Sequence, residues 1–138
     1  VWGNTDLPTS ADINFARSLG LTPPAAIPLR LSFGQTVCLV FHGHERQFET
    51  LLRAVHGPDA AVARAALDGA KYIFYGHTHY ASESRVGDVR FINPGALHRV
   101  ATPTVATLDL DTDALAWWVV DESGGEPRPF VPRPSASS

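Results

Sequence analysis

The sequence predicts an α/β protein. Three observations carry that prediction. The short apolar runs "TVCLVF" (36–41), "KYIFY" (71–75) and "LAWWVV" (115–120) have the length and composition of buried strands. Between the first two lies a helix pattern, with Phe48, Leu51, Leu52 and Val55 at i, i+3, i+4 and i+7 forming one apolar stripe. Turn residues, Gly34-Gln35 and Gly87-Asp88 among them, separate neighbouring strand-like runs and mark hairpins.

The elements follow in order. Val1 and Trp2 read as the end of a strand, and Gly3-Asn4 as the turn after it. Ser10 is placed to cap a helix from Ala11 to Leu19, closed by Gly20. "TPPAAIP" is a loop. Leu29, Leu31 and Phe33 alternate with Arg30 and Ser32, the pattern of a half-buried strand. It turns at Gly34-Gln35 into the strand Thr36–Phe41. "HGHE" leads into the striped helix, which ends at His56-Gly57. A protonated His56 is favourable at that C-terminus. Pro58 suits the first turn of an alanine-rich helix running to Asp68. The strand "KYIFY" is followed by the hairpin "SESRV"–"VRFI", which Asn93-Pro94-Gly95 breaks. The last hairpin joins "TVATLDL" to "LAWWVV" through residues 111–113. Trp117 and Trp118 then point to opposite faces of one strand. From Glu122 the chain carries four prolines, two glycines and four serines in "ESGGEPRPFVPRPSASS". That composition cannot offset its ordering entropy by burial, so residues 122–138 are expected to be a flexible tail after a domain of residues 1–121.

The bulk properties set bounds. A chain of 138 residues suits one domain. Its formal net charge of -3 points to neither nucleic acid nor an anionic membrane as a partner. No apolar run is long enough to span a bilayer, so no membrane is expected as a partner. The single cysteine, Cys38, lies inside an apolar run and reads as a small core residue. It cannot form an internal disulfide, which fits a reducing compartment, and a cytoplasmic location is expected. The chain opens on "VWGNTD" without an initiator methionine, and an N-terminal part of the domain is expected to be missing.

Chemistry concentrates in four clusters that follow strand-like runs. These are Asn4 with Asp6 in "GNTD", His42 and His44 in "HGHE", His77 and His79 in "GHTH", and Asn93 with Arg99 in "NPGALHR". Five of the six histidines lie in them. If the preceding strands are sheet neighbours, their C-terminal ends gather these groups at one edge, where open α/β sheets bind ligands. Neutral imidazole suits zinc, iron, nickel and copper, and also manganese when oxygen ligands accompany it. Gly43 and Gly76 let the backbone bend close to a ligand. Taken singly, each cluster has a plainer meaning: "GNTD" and "NPG" are ordinary turns, and "HGHE" is a strand-to-helix connection with Glu45 well placed at a helix start.

The combination "GNTD", "HGHE", "GHTH", "NPGA", in that order from Gly3 to Ala96, resembles the calcineurin-like metallophosphoesterase superfamily, and most of all its small bacterial and archaeal phosphodiesterases. The resemblance implies a four-layer αββα sandwich of two mixed sheets. It implies a metal-dependent phosphoesterase acting through a metal-activated hydroxide. Divalent metal ions (Mn, Zn, Ni or Fe) are the implied cofactors, two in the complete family site. Asn4, His42 and His77 resemble the ligands of one ion, and His79 a ligand of the other. The family's upstream Asp-x-His and bridging Asp have no counterpart before Gly3, so the chain resembles the C-terminal half of such a domain. Family members often carry histidine or cysteine where Thr5 stands. Threonine is a poor general acid, which moves that role to His44. Ala96 replaces the usual serine. Arg99 or His98 is placed to contact phosphate. A small phosphoester substrate is the implied partner, and an N-terminal segment or a homo-oligomer is expected to cover the strands that are apolar on both faces. The superfamily fold also serves as a non-catalytic protein-interaction scaffold in the retromer complex, which is the competing expectation.

Overall fold

A computed structural model describes residues 9–20, 28–121 and 123–132. The strand end expected at Val1–Trp2 and the "GNTD" cluster lie outside these residues. The first helix, α1, spans Ser10–Ser18. Its cap is Thr9, not Ser10. The Thr9 hydroxyl accepts from Asp12 N–H while the Asp12 carboxylate accepts from Thr9 N–H, a capping box that satisfies two orphan donors at once. Ser10 has no such partner three residues on, and it falls inside the helix. No residue of α1 is buried.

Two sheets follow. The larger contains β1 (Leu29–Phe33), β2 (Thr36–Val40), β3 (Tyr72–Phe74), β4 (Ser82–Val86) and β5 (Val89–Asn93), in the order β1-β2-β3-β5-β4. The hairpins β1–β2 and β4–β5 are antiparallel, whereas β2–β3 and β3–β5 are parallel. The parallel steps need crossovers. Helices α2 (Arg46–His56) and α3 (Ala60–Leu67) supply the first. The α3 cap is Asp59, whose carboxylate accepts from Ala61 and Val62 N–H, so Pro58 sits just before the helix and not in its first turn.

Register explains the layers. Leu39, Ile73 and Phe91 lie side by side across β2, β3 and β5. All three face α2 and α3 and join Phe48, Leu51, Val55 and Leu67 in one core. One residue along, side chains point the other way. Cys38, Tyr72 and Ile92 pack with Trp117 between the two sheets. Both faces of the central strands are therefore covered, as continuous apolar runs require.

The smaller sheet contains β6 (Thr104–Asp109), β7 (Ala114–Val119) and β8 (Arg128–Phe130), in that order. Among the described residues it is antiparallel throughout, not mixed, because its strands follow one another with no helical crossover between them. Three of the four expected layers are present among the described residues: helices, mixed sheet and antiparallel sheet. The second tryptophan of the pair is half-buried, and its indole N–H donates to the Thr107 hydroxyl. Strand β8 corrects the expectation for the tail. Phe130 pairs opposite Trp117 and packs into the inter-sheet core, an apolar contribution that average composition hides. Pro129 lacks an N–H, which an edge strand tolerates. Among the described residues no helix is long and apolar enough to cross a membrane.

One ionic clasp ties the layers. Arg90 on β5 is only 4% exposed. Its Nε binds Glu83 at 2.7 Å, and its Nη1 binds the carbonyl and carboxylate of Asp113, in the β6–β7 turn, at 2.6 and 2.7 Å. Tyr72 donates its hydroxyl to the same carboxylate. These two donors, Tyr72 first and Arg90 second, hold the Asp113 carboxyl down at about 2. An unfolded aspartate titrates at about 3.9. The stabilisation is thus complete above that value and disappears as pH falls through about 2. Thermal melts should show a stability loss concentrated between roughly pH 4 and pH 2. Asp113→Asn should lower the melting temperature at pH 7 and flatten that acid limb.

Candidate metal centre

The three strands that precede histidine or asparagine clusters, β2, β3 and β5, are parallel neighbours, so their C-terminal ends share one edge of the sheet. Pairing continues past the strands. Phe41 N–H donates to Phe74 C=O, and Gly76 N–H donates to His42 C=O at 2.8 Å. The "HGHE" and "GHTH" loops are therefore zipped together at their bases.

Glycine makes the contact feasible. Gly43 has φ 114°, and a Cβ there would meet Gly76 O at 2.9 Å and the His77 Cβ at 3.2 Å. Backbone cannot yield to such an approach as a flexible side chain would. Glu45 then fixes the first loop. Its carboxylate oxygens accept from His42 N–H and Gly43 N–H, both at 2.6 Å. The group is 6% exposed. Burial pushes its carboxyl up, but the N–H groups of Gly43, His42 and Glu45 itself outweigh that, and the net shift is downward. Glu45 stands at the start of α2 as expected, as its N-cap residue, and its side chain serves in addition as a loop brace. Its signal in the sequence was the spacing, a carboxylate three residues after the N–H it must satisfy.

The second loop is strained. His77 and His79 have φ 66° and 62°, the left-handed region that β-carbons disfavour. Thr78 N–H donates to Gly76 C=O at 2.8 Å, closing a tight three-residue turn with His77 at its centre. Asn93 holds this turn in place. Its side-chain N–H groups donate to Gly76 C=O and the Thr78 hydroxyl at 3.2 and 3.0 Å, and its oxygen accepts from Gly95 N–H. Trp117 donates its indole N–H to the Asn93 carbonyl. Gly95 has φ 90°, and a Cβ there would collide with the Thr104 hydroxyl.

The result is a cluster of three imidazoles. Ring centroids are 5.0 Å apart for His42–His44, 5.3 Å for His42–His77 and 5.8 Å for His44–His77. One nitrogen from each lies within 4.8 Å of the others. His42 is half-buried, and His44 and His77 are exposed. Among the described residues no carboxylate joins the group. Three neutral nitrogen donors at this spacing fit a divalent transition metal. His44, expected from sequence as an acid, stands among the ligand-like nitrogens. His79 does not: it lines a neighbouring cleft with Arg99. Asn93, grouped with Arg99 in the sequence, is fully buried and structural, whereas Arg99 and His98 are exposed on the following loop. Asn4 lies outside the described residues.

Solved structures with this fold include an archaeal phosphodiesterase, with 23% identity and a TM-score of 0.50 over 67% of this chain and 50% of that one. They also include single and double mutants of Vps29 from Entamoeba histolytica, each 18% identical over 93% of this chain and 65% of theirs, with TM-scores of 0.51 and 0.52. The chain therefore spans about half the length of the archaeal enzyme. At these identities the likeness is one of fold. No curated protein matches the chain. A sequence model of the calcineurin-like phosphoesterase superfamily domain matches residues 1–113. With that match over most of the chain, and with the loops and fold described above, the protein belongs to the calcineurin-like phosphoesterase superfamily.

Proposed function

We propose that the protein is the metal-binding, C-terminal part of a metal-dependent phosphoesterase, with the His42–His44–His77 cluster at its centre. The observation that carries this is the convergence of three imidazoles on the C-terminal edge of β2 and β3, in a chain of this superfamily. His42 and His77 hold the ion, Asn4 completes its ligand set, and His79 is left for a second ion. A divalent cation supplies Lewis acidity and lowers the pKa of coordinated water. The chain's own groups do the rest. Glu45 and Asn93 hold the two loops so that the imidazoles are ordered before a ligand arrives. His44, exposed beside His77, gives a proton to the departing alkoxide. Arg99 offers a bidentate contact to phosphate oxygens. With His79 as the only ligand given to the second ion, the 138-residue chain by itself binds one metal firmly and turns over slowly. A supplied N-terminal half would raise the rate.

A second reading is a protein-interaction scaffold on the same fold. The likeness to Vps29, which extends over 93% of this chain, supports it, as do Thr5, where family members often carry histidine or cysteine, and Ala96 in place of the usual serine.

Titration with manganese or zinc, followed by calorimetry, separates the two. The phosphoesterase reading expects one firm site per chain, weakened on the order of 100-fold in His42→Ala and in His77→Ala. Absence of a site that depends on these histidines favours the scaffold. His44→Ala tests the proton-donor role. Metal affinity should persist, while hydrolysis of an alkyl phosphodiester falls roughly 100-fold or more and that of a nitrophenyl diester, whose leaving group needs no proton, falls little. Loss of metal affinity in His44→Ala would make it a ligand instead. Asn93→Leu keeps the branching at Cγ but strands buried donors and acceptors, each costing about 1–3 kcal/mol. It should lower stability and weaken metal binding about tenfold or more, although Asn93 lies outside the imidazole group.

A further inference from the structure

Beside the imidazole cluster lies a cleft of about 930 Å³. Its walls come from the "GHTH" loop, the loop 99–104 and Phe130 of β8. Three features set it apart from an ordinary surface groove. Among the described residues its lining contains no carboxylate, and Arg99 is its permanent cation. Among the described residues Arg99 makes no ion pair. Aromatic side chains line it: Tyr75, Tyr80 and Phe130, with Tyr80 77% exposed. The backbone is strained on two sides as well. Arg99 has φ 57° and His79 has φ 62°, so with His77 three of the five left-handed non-glycine residues among those described flank this edge. The other two, Asp68 and Asp113, sit in a helix cap and a hairpin turn, where such geometry is routine.

An exposed arginine is commonly just solvated, and an exposed tyrosine needs no ligand. Set together in one concave wall they match a ligand with two parts, a flat apolar ring and an anion. We infer that the cleft is a subsite for the aromatic moiety of a phosphate ester, of the nucleotide type, with Tyr80 and Phe130 stacking the base and Arg99 meeting the phosphate. The inference rests on the phosphoesterase reading for its orientation: phosphate at the His77 end, ring towards Phe130. It also gives β8 a role. The strand that composition hides brings Phe130 to the cleft.

The test is binding without turnover. The 138-residue chain, labelled for NMR and kept in EDTA, is titrated with adenosine 5′-monophosphate and, separately, with ribose 5-phosphate, which lacks only the base. The expected result is an affinity about tenfold or more higher for the nucleotide, with shifts at residues 99–104 and 130. Tyr80→Ala, at a solvent-exposed position where folding is not in question, should weaken nucleotide binding roughly 5- to 100-fold and leave ribose phosphate unchanged. Arg99→Gln should weaken both ligands. Equal affinities, shifts confined to His42, His44 and His77, or an unaffected Tyr80→Ala would overturn the subsite. Failure of the phosphoesterase reading shows elsewhere, in absent metal binding and turnover, and leaves this metal-free titration intact.

Discussion

The side-chain amide of Asn93 is fully shielded from water, yet its polar atoms are bonded. It joins Gly76 and Thr78, 17 and 15 residues away, while its main-chain carbonyl takes the Trp117 indole, 24 residues away. In a dry interior an unmade hydrogen bond costs more than a made one returns. Few other side chains satisfy the "GHTH" loop, the Gly95 turn and the second sheet at once. The strained turn at His77 persists because this lattice over-determines it. Without it, the imidazoles of the two loops have no reason to stay within bonding reach of a common ion.

What Asn93 fixes locally depends on the parallel trio β2, β3 and β5. Their apolar faces are clamped between α2–α3 and the antiparallel sheet, with Leu39, Ile73 and Phe91 on one side and Cys38, Tyr72 and Ile92 on the other. Fully burying such a side chain contributes about 1.5–3 kcal/mol. The Arg90 clasp prevents the two sheets from sliding, because it bonds β4, β5 and the β6–β7 turn at once. Chemistry is thus carried on exposed loops, and precision comes from the rigid layers beneath them.

Electrostatics divides the edge in two. Around the imidazoles the nearby carboxylate, Glu45, is turned inward, with its oxygens committed to backbone N–H groups. Among the described residues nothing anionic offsets an ion held there, so neutral donors and weakly bound anions suit it. The adjoining cleft is cationic and aromatic. A phosphate bridging the two would be neutralised from both sides, which is the arrangement phosphoryl chemistry asks for.

Local pattern alone determined a great deal. Alternation marked β1, continuous apolar runs marked β2, β3 and β7, a period of 3.6 marked α2, and glycine turns marked the first two hairpins, because burial by one face or two leaves a direct imprint on residue order. The motif order pointed to the superfamily, and the loop glycines announced close backbone approach. Other matters were left to the tertiary structure. Thr9 displaced Ser10 as a cap because Asp12 stood at the reciprocal position. Phe130 drew a proline-rich segment into a strand because Trp117 and the inter-sheet core were there to receive it. Glu45, Asn93 and Arg90 became braces through partners far away in sequence or through loop geometry, which no periodicity records. The grouping of His44 with His42 and His77 followed from the pairing and bracing of the two loops, and the separation of His79 towards the cleft accompanies left-handed backbone at His77 and His79. Spacing of two residues can place a pair of imidazoles together or apart, and only the packed loop chooses between them.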